Sequence, residues 1–421
     1  MISPPPRVVV LGTGMAANEA TFLLHSRLSG RVDLQVVSDR ERFLFRPNLV
    51  YVPFGAKPEA SELSMDMVLA NDGIPLLVQR VEGVDSGAGR VHLIDGTQLP
   101  YEHLVIATGA RPRPQEIPGL GEHALTMWDS AGALTLRERF THLRGQAREG
   151  TSQRVLFVVP RHNQCTLPLY EVALMLDTWL RRERAREPVR IVFITHEMSF
   201  AEACGPRMHE VIDREFTERG MDGHAGEELI DVSAHEAAFA GGRTERFDLL
   251  VTIPPHGPGI RYDGLPADDR GFLHVETGTR QVVGHPELYA PGDAGDFPIK
   301  DAFVALLQAD AVAHHVAAVV TGRDFKRPFD ALSLSVIDML DRAAFAQLPL
   351  EVTGDPDHPV RLRAGAEADY KLGVSPAWRM SKRIFASSVL MRFAAGEPFQ
   401  AGAGWRLMDV GVRAMTGMLA D

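Results

Sequence analysis

The chain has 421 residues, enough for two domains or one elaborated two-lobed fold. Apolar residues make up 45% and charged residues 24%, the balance of a soluble globular protein with ample core. A formal net charge of −11 argues against nucleic acid as a partner for the surface as a whole, and the two cysteines, Cys165 and Cys204, exclude a disulfide scaffold and fit a reducing cytoplasm.

No metal centre is expected. The opening Met-Ile-Ser-Pro-Pro-Pro-Arg has no charged head followed by an apolar run, so no secretory signal is expected. The best candidate for a membrane span, Ala302 to Val320, is interrupted by Gln308, Asp310, His314 and His315 and reads as a buried helix.

The apolar run Val8-Val9-Val10-Leu11 predicts a first strand, and Gly12-Thr13-Gly14-Met15-Ala16-Ala17 turns it into a helix. Strand, glycine turn and helix in that order suit a dinucleotide: Gly12 permits the tight turn, Gly14 lets backbone approach a pyrophosphate, and Ala17 keeps helix close to strand. The helix N-terminus adds free N–H groups and partial positive charge. The alternative is an ordinary strand-to-helix turn. Val32, Leu34, Val36 and Val37 predict a second strand ending at Ser38-Asp39, where a ribose-binding acid belongs. Either side chain suits the ribose hydroxyl, and Asp39 equally suits a solvated turn.

Glu41 to Tyr51, with Phe43, Phe45, Arg46 and Pro47, is too apolar to lie free in water, and suits either core packing or a cover for a cofactor. Leu76 to Val81 and Arg90 to Ile94 predict short strands, with Asp95-Gly96 as a hairpin turn. Tyr101 to Ala110 is an apolar strand ending in the small residues Ala107, Thr108 and Gly109, which let backbone come close to a ligand. The proline-rich stretch from Arg111 to Gly119 reads as a linker.

A second unit begins with the strand Val155 to Val159 and a helix from about Leu167 to Arg182. The turn between them, Pro160-Arg161-His162-Asn163-Gln164-Cys165, has no glycine, which predicts that this lobe holds no nicotinamide nucleotide. Ile191 to Thr195 predicts a strand, Pro206 to Gly220 an amphipathic helix and Phe247 to Ile253 a buried strand. Glu287-Leu288-Tyr289-Ala290-Pro291-Gly292-Asp293 then delivers an acid at a tight turn before the Ala302 helix; Asp293 suits a ligand contact or the cap of that helix.

The glycine loop, Leu104 to Ala110 and Tyr289 to Asp293 resemble, in order and spacing, the three FAD-contacting segments of the FAD-dependent pyridine nucleotide-disulfide oxidoreductase superfamily, over about residues 5–325. The resemblance implies an α/β fold of two Rossmann-like dinucleotide-binding domains, three-layer ββα, the second inserted in the first. The expected boundaries are 1–120 and 276–328 for the FAD-binding domain and 121–275 for the second domain. Residues 329–421 are expected as a C-terminal, helical, membrane-facing region.

FAD is implied at Gly12, Gly14, Ala17, Ser38 or Asp39, Arg46, Ala107, Thr108, Gly109, Gly292 and Asp293. Ser38-Asp39-Arg40 through Phe45-Arg46-Pro47 to Gly55 looks like the loop shared by sulfide:quinone and type II NADH:quinone oxidoreductases. Cys165-Thr166-Leu167-Pro168-Leu169-Tyr170-Glu171 is similar to a stretch of the sulfide enzymes whose cysteine lies near the flavin and carries sulfur. By that comparison the catalytic residues are Cys165, Glu171 as proton carrier, and Lys300 near the flavin's pyrimidine side.

The resemblance implies quinone and a small sulfur substrate as partners. It departs in two places: no cysteine follows Cys204, so a bridge from Cys165 to the C-terminal third is excluded, and the glycine loop an NADH enzyme needs is missing. Cys204 suits a packed thiol. A helix N-terminus favours a Cys165 thiolate, and His162 suits a base or an idle surface position. The competing readings are an NADH:quinone enzyme and a flavin-bearing redox sensor without turnover.

Residues 370–421 carry seven basic residues (Lys371, Arg379, Lys382, Arg383, Arg392, Arg406, Arg413) and three acidic ones, a net of about +4. Met380, Ile384, Val389, Leu390 and Phe393, and then Trp405 to Leu419, mix with them at near-helical spacing. Such segments suit an anionic membrane surface, the protein's own body or the partner of a homo-oligomer. Because quinone lives in the bilayer, the resemblance favours a cytoplasmic protein peripheral on the inner face of the cell membrane.

Overall fold

In the computed structural model, residues 4–355, 360–402, 414 and 416–420 are described. The strand Arg7–Leu11 sits inside a six-stranded sheet, between His103–Ile106 on one side and Asp33–Ser38 on the other, all parallel. Val8 to Leu11 are fully buried because both faces of the sheet are covered, which is why this strand reads as an unbroken apolar run. Beyond His103–Ile106 lies His285–Tyr289, with Leu288 opposite Leu104, so residues about 180 positions apart share one sheet.

One face carries the helices Met15–Leu28 and Ala302–Thr321, packed on each other through Ala16, Ala20, Leu306, Ala309 and Val312. The other carries the three-stranded meander Val81–Asp85, Arg90–Leu93 and Gln98–Pro100. Its last two strands turn at Asp95-Gly96, where Gly96 is left-handed (φ 86°). The strand expected over Leu76 to Val81 is two: Leu76–Val78 joins the parallel sheet and Val81–Asp85 the meander.

Between the two contributions to that sheet, the chain builds a second one. Ala124–Leu125, Leu249–Thr252, Gln153–Val159, Val189–Thr195 and Asp222–His224 lie in that order, all parallel. The helices Ser130–Arg148, Leu167–Arg182 and Pro206–Arg219 pack on one face, and the meander Leu229–Val232, Glu236–Phe239 and Thr244–Arg246 on the other. The α/β architecture with parallel sheets is therefore as the sequence implies.

The C-terminal region differs from the all-helical expectation. Leu332–Asp338, Ala343–Val352, Val360–Leu362 and Lys371–Ser375 form an antiparallel sheet before the helix Ala377–Ala394. Leu332-Ser333-Leu334-Ser335-Val336 does alternate with period two, but Ser333 and Ser335 are the buried positions, so the polarity is inverted relative to a half-solvated strand.

The helix Ala377–Ala394 is docked on the protein itself. Phe393 lies 5.6 Å from Phe22 and 5.3 Å from Phe43, Trp378 stacks on Phe345 at 4.0 Å, and Val389 is buried. Arg379 pairs with Asp338 at 2.7 Å and Lys382 with Glu171, so two of the tail's cations are spent on buried carboxylates, while Arg392 pairs with the exposed Glu397 at 3.3 Å. Trp378, Val389 and Phe393 are thus core residues, and the exposed face is narrower, made of Met380, Ile384 and Met391. Trp405 to Val412 and Met415 lie outside the described residues.

Beyond the helix, Glu19 of the first helix accepts the N–H groups of Phe399 and Gln400 at 2.6 and 2.9 Å. Ala302–Thr321 has the length and composition to cross a membrane, with a mean hydropathy of 1.6, but it packs against Met15–Leu28 in the core on one face of the sheet.

Candidate active site

One cavity of about 1100 Å³ runs from the glycine turn to the C-terminal helix. Its walls include Gly14, Met15 and Ala16 from the first turn, Arg46 and Pro47 from the aromatic loop, and Ala107 and Gly109. Pro291, Gly292, Asp293 and Lys300 come from the later segment, Cys165 and Glu171 from the second lobe, and Lys382 and Phe385 from the C-terminal helix.

The glycine turn fits a dinucleotide. A Cβ on Gly12 would lie 2.5 Å from the Ala107 carbonyl oxygen, and Gly12 has φ 114°, so only glycine fits. Ala17, fully buried, lies 3.7 Å from that same point and sets helix against strand. A Cβ on Gly14 would meet no protein atom within 4 Å; it faces the cavity, and no side chain caps the helix it opens. A Cβ on Gly292 would lie 2.9 Å from the Ala16 Cβ, which brings the later segment against the first helix. The close approach and the open side are what a pyrophosphate on a helix N-terminus requires.

Ser38 and Asp39 are resolved into different tasks. Ser38 is buried and its hydroxyl lies 3.1 Å from the Thr13 hydroxyl, whereas Asp39 is engaged by Arg111 at 2.8 Å and Arg40 at 3.2 Å. Gly12, Ala17, Ser38, Asp39 and Thr108 support the cavity rather than line it; Thr108 faces the Tyr262 hydroxyl at 3.4 Å. Asp293 is not the helix cap. That task falls to Asp301, whose carboxylate accepts from Phe303 and Val304 N–H groups, leaving Asp293 on the cavity wall with its pKa raised by burial against the pull of Lys300 and Arg46.

Lys300 donates to the Gly295 carbonyl at 2.7 Å and sits 4.0 Å over the Phe272 ring; burial pulls it down to about 8 while Asp293 holds it up. The Arg46 guanidinium lies 5.0 Å from the centre of the Trp128 ring; burial lowers its pKa against the pull of Asp293.

Cys165 ends a turn that is closed by its own side chains. Asn163 accepts the Cys165 N–H at 2.8 Å and donates to the Ile253 carbonyl at 2.9 Å, the Gln164 N–H faces His256 Nδ1 at 3.4 Å, and the Asn163 N–H donates to Pro160. Three successive amides are thus engaged, where a pyrophosphate would need them free. His162 adopts the left-handed conformation (φ 64°) and points to the exterior, away from the cavity, so it is not placed to serve Cys165. The expectation of an acidified thiol fails: burial pushes Cys165 up to about 12, aided by Asp293 and Asp301 and opposed by Arg46.

Glu171 is buried, not solvated on a helix face. Lys382 Nζ binds both of its oxygens, Oε2 at 2.6 Å, and the Asp338 N–H donates to Oε1 at 3.0 Å. Burial raises its pKa to about 7, with Lys382 holding it down. Asp338, fully buried, also receives the Tyr51 hydroxyl at 3.0 Å and Arg379. Lys382 and Cys204 are cavity residues that sequence reasoning left elsewhere. Lys382 stands 211 residues from Glu171, and no local pattern announces such a pairing.

Residues 6–153 match the pyridine nucleotide-disulphide oxidoreductase family. The chain is 22% identical over 315 residues to a mitochondrial sulfide:quinone oxidoreductase of Dictyostelium discoideum, covering 71% of this chain and 68% of that protein. It is 25% identical over 313 residues to an NADH dehydrogenase-like protein of Mycobacterium tuberculosis, covering 72% and 76%. The solved structure of the sulfide:quinone oxidoreductase from Aquifex aeolicus superposes with a TM-score of 0.83 at 19% identity, over 96% of this chain and 95% of that one, which shows a shared fold.

Proposed function

We propose that this chain, an FAD-dependent oxidoreductase that belongs to the pyridine nucleotide-disulphide oxidoreductase superfamily, oxidises sulfide or a small thiol at Cys165 and passes the electrons to a quinone. What carries the reading is that one cavity joins the glycine cradle, Cys165 and the Glu171–Lys382 pair. FAD would be held by Gly14, Ala107, Gly109, Gly292 and Asp293, with Gly12, Ala17, Ser38 and Thr108 supporting the turns. Bound there, it supplies a two-electron sink.

Joining one sulfide to the Cys165 sulfur as a persulfide releases two electrons and two protons, and quinone takes up two of each. Arg46 draws the hydrosulfide anion and offsets the thiolate that burial disfavours. A small thiol or a second sulfide then takes the outer sulfur and restores Cys165. Glu171, with a pKa near 7 and a lysine on its carboxylate, holds the proton on the side lined by Phe385 and Ile384, where an apolar quinone fits. Met380, Ile384 and Met391 on the outer face of the same helix support peripheral contact with lipid.

Anaerobic titration of the FAD-loaded protein tests this. Sulfide is expected to bleach the flavin band, a soluble quinone to restore it, and NADH to leave it unchanged because three successive amides of the Pro160 turn are already engaged. Cys165→Ala is expected to abolish bleaching by sulfide; bleaching as fast as in the parent overturns the assignment of Cys165.

A further inference from the structure

The strand Leu332–Asp338 divides the cavity into two lobes of opposite character. Successive side chains on a strand point to opposite faces, and directly opposed residues of an antiparallel pair share a face. Leu334 lies opposite Gln347 and Val336 opposite Phe345, so these four stand on one face, while Ser333 and Ser335 stand on the other. Both sets line the cavity. The hydroxyl face meets the Cys204 thiol at Ser335, and the other face is apolar apart from Gln347.

The helix Ala377–Ala394 completes the apolar lobe, with Trp378, Lys382 and Phe385, spaced i, i+4 and i+7, lining the cavity from one helix face. Trp378 is fully buried and stacks on Phe345, the ring centres 4.0 Å apart and the planes 10° from parallel. Its indole N–H, a donor only, has no hydrogen-bond partner among the described residues. Buried donors left unpaired are uncommon, and this one belongs to a residue that borders a cavity, which points to an acceptor on a ligand. A lone water does not fit. It needs two or more polar partners, and Phe345, Leu334 and Val336, which pack around the indole, offer none. Four residues further on, about 6 Å along the helix axis, Lys382 binds the Glu171 carboxylate. The lobe thus offers a lone donor, a carboxyl–ammonium pair one turn away, and apolar walls.

We propose that Trp378 selects the electron acceptor, its indole N–H donating to one carbonyl oxygen of a para-quinone whose other carbonyl faces the Glu171–Lys382 pair. Such a ring is flat and apolar, with one acceptor atom at each end, and it matches a lobe that has one donor group at each end of its helical wall. The stack on Phe345 fixes the plane of the indole, and therefore the direction in which its N–H points. A ligand without a carbonyl leaves this donor buried and unpaired, so the site favours quinones over acceptors that take electrons without being held. The Ser333 and Ser335 lobe on the other side of the strand is left to the sulfur substrate. The inference rests on the proposed reduction of quinone and names the residue that recognises it.

The FAD-loaded protein is reduced anaerobically with dithionite, so that no sulfide chemistry enters, and mixed with duroquinone or with ferricyanide, an acceptor that has no carbonyl. The quantity read is the ratio of the two second-order rate constants for flavin reoxidation, which cancels any loss of folded protein. Trp378→Phe keeps a ring on Phe345 and removes the N–H. It is expected to lower the ratio about tenfold, the size of one hydrogen bond, through a raised KM for duroquinone. In the oxidised parent carrying isotopically labelled tryptophan, the Trp378 indole N–H signal is expected to move downfield as duroquinone is added. That signal is identified by elimination after substitution of Trp128, Trp179 and Trp405, so the test stands even where Trp378→Phe does not fold. A ratio within about twofold of the parent's, or an indole signal that does not move, overturns the assignment of Trp378. A parent whose reduced flavin is reoxidised by ferricyanide and not by duroquinone removes the quinone reading itself, and this inference with it.

Discussion

Glu171 is poised by two opposed effects. Burial raises its pKa to about 7, while the Lys382 ammonium is the largest influence holding it down. Protonated Glu171 is the form that delivers a proton to quinone, so flavin reoxidation by quinone is expected to slow as pH rises through about 7. Glu171→Gln should remove that inflection and slow reoxidation by about 100-fold or more. Lys382→Met should move the inflection to higher pH, because the lowering influence is gone; stopped-flow reoxidation across pH 5–9 reads both. The sign for stability is related. The native state holds this proton between the ordinary carboxyl value of 4.5 and about 7 more firmly than the unfolded chain does, so this residue's contribution weakens as pH rises through that window. None of this is legible from the segment around Glu171, since its partner arrives 211 residues later and its burial depends on a helix that reads, alone, as a surface element.

At the scale of elements, the strand-turn-helix opening was the most legible part of the chain, because each glycine answers to a local constraint. The two glycines of the cradle make separable predictions. Gly12→Ala places a Cβ 2.5 Å from the Ala107 carbonyl at φ 114°, so the fold itself should lose about 1–3 kcal/mol, seen as a lowered Tm of the apoprotein. Gly14→Ala adds a Cβ that meets no protein atom within 4 Å and should leave the apoprotein folded while the ratio of flavin to protein absorbance falls. Equal apoprotein Tm losses in the two variants would show that Gly14, like Gly12, serves the fold and not a ligand. The helix Leu167–Arg182 was equally legible, bounded by Pro168 at its start and Arg181-Arg182 at its end. The antiparallel sheet after Leu332 was not: its alternation is present, but buried serines on a strand do not announce a core-facing side. Cys204 was unplaceable for a related reason, since a cavity wall assembled from many separate stretches leaves no periodicity in any one of them.

For the whole molecule, the +4 charge of residues 370–421 is not all free to meet a lipid surface, because Arg379 and Lys382 are paired with the buried carboxylates of Asp338 and Glu171. The exposed Met380, Ile384 and Met391 remain as an outward apolar strip. Met380→Glu combined with Met391→Glu should reduce co-sedimentation with anionic vesicles while bleaching by sulfide is retained; unchanged sedimentation would exclude this strip as the contact. The same docked helix orders events during synthesis. The first parallel sheet waits for Leu288 and Tyr289, and the fully buried Glu19 waits for the amides of Phe399 and Gln400, 380 residues downstream. At roughly 5–20 residues per second a ribosome needs on the order of 20–80 s to supply them. Throughout that interval the nascent chain has a glycine turn but no closed chamber around it. The cofactor's pocket is therefore finished only once the helix Ala377–Ala394 and Phe399-Gln400 have emerged, and a chain cut short near residue 370 keeps most of its sheets without the wall that Lys382 and Phe385 complete.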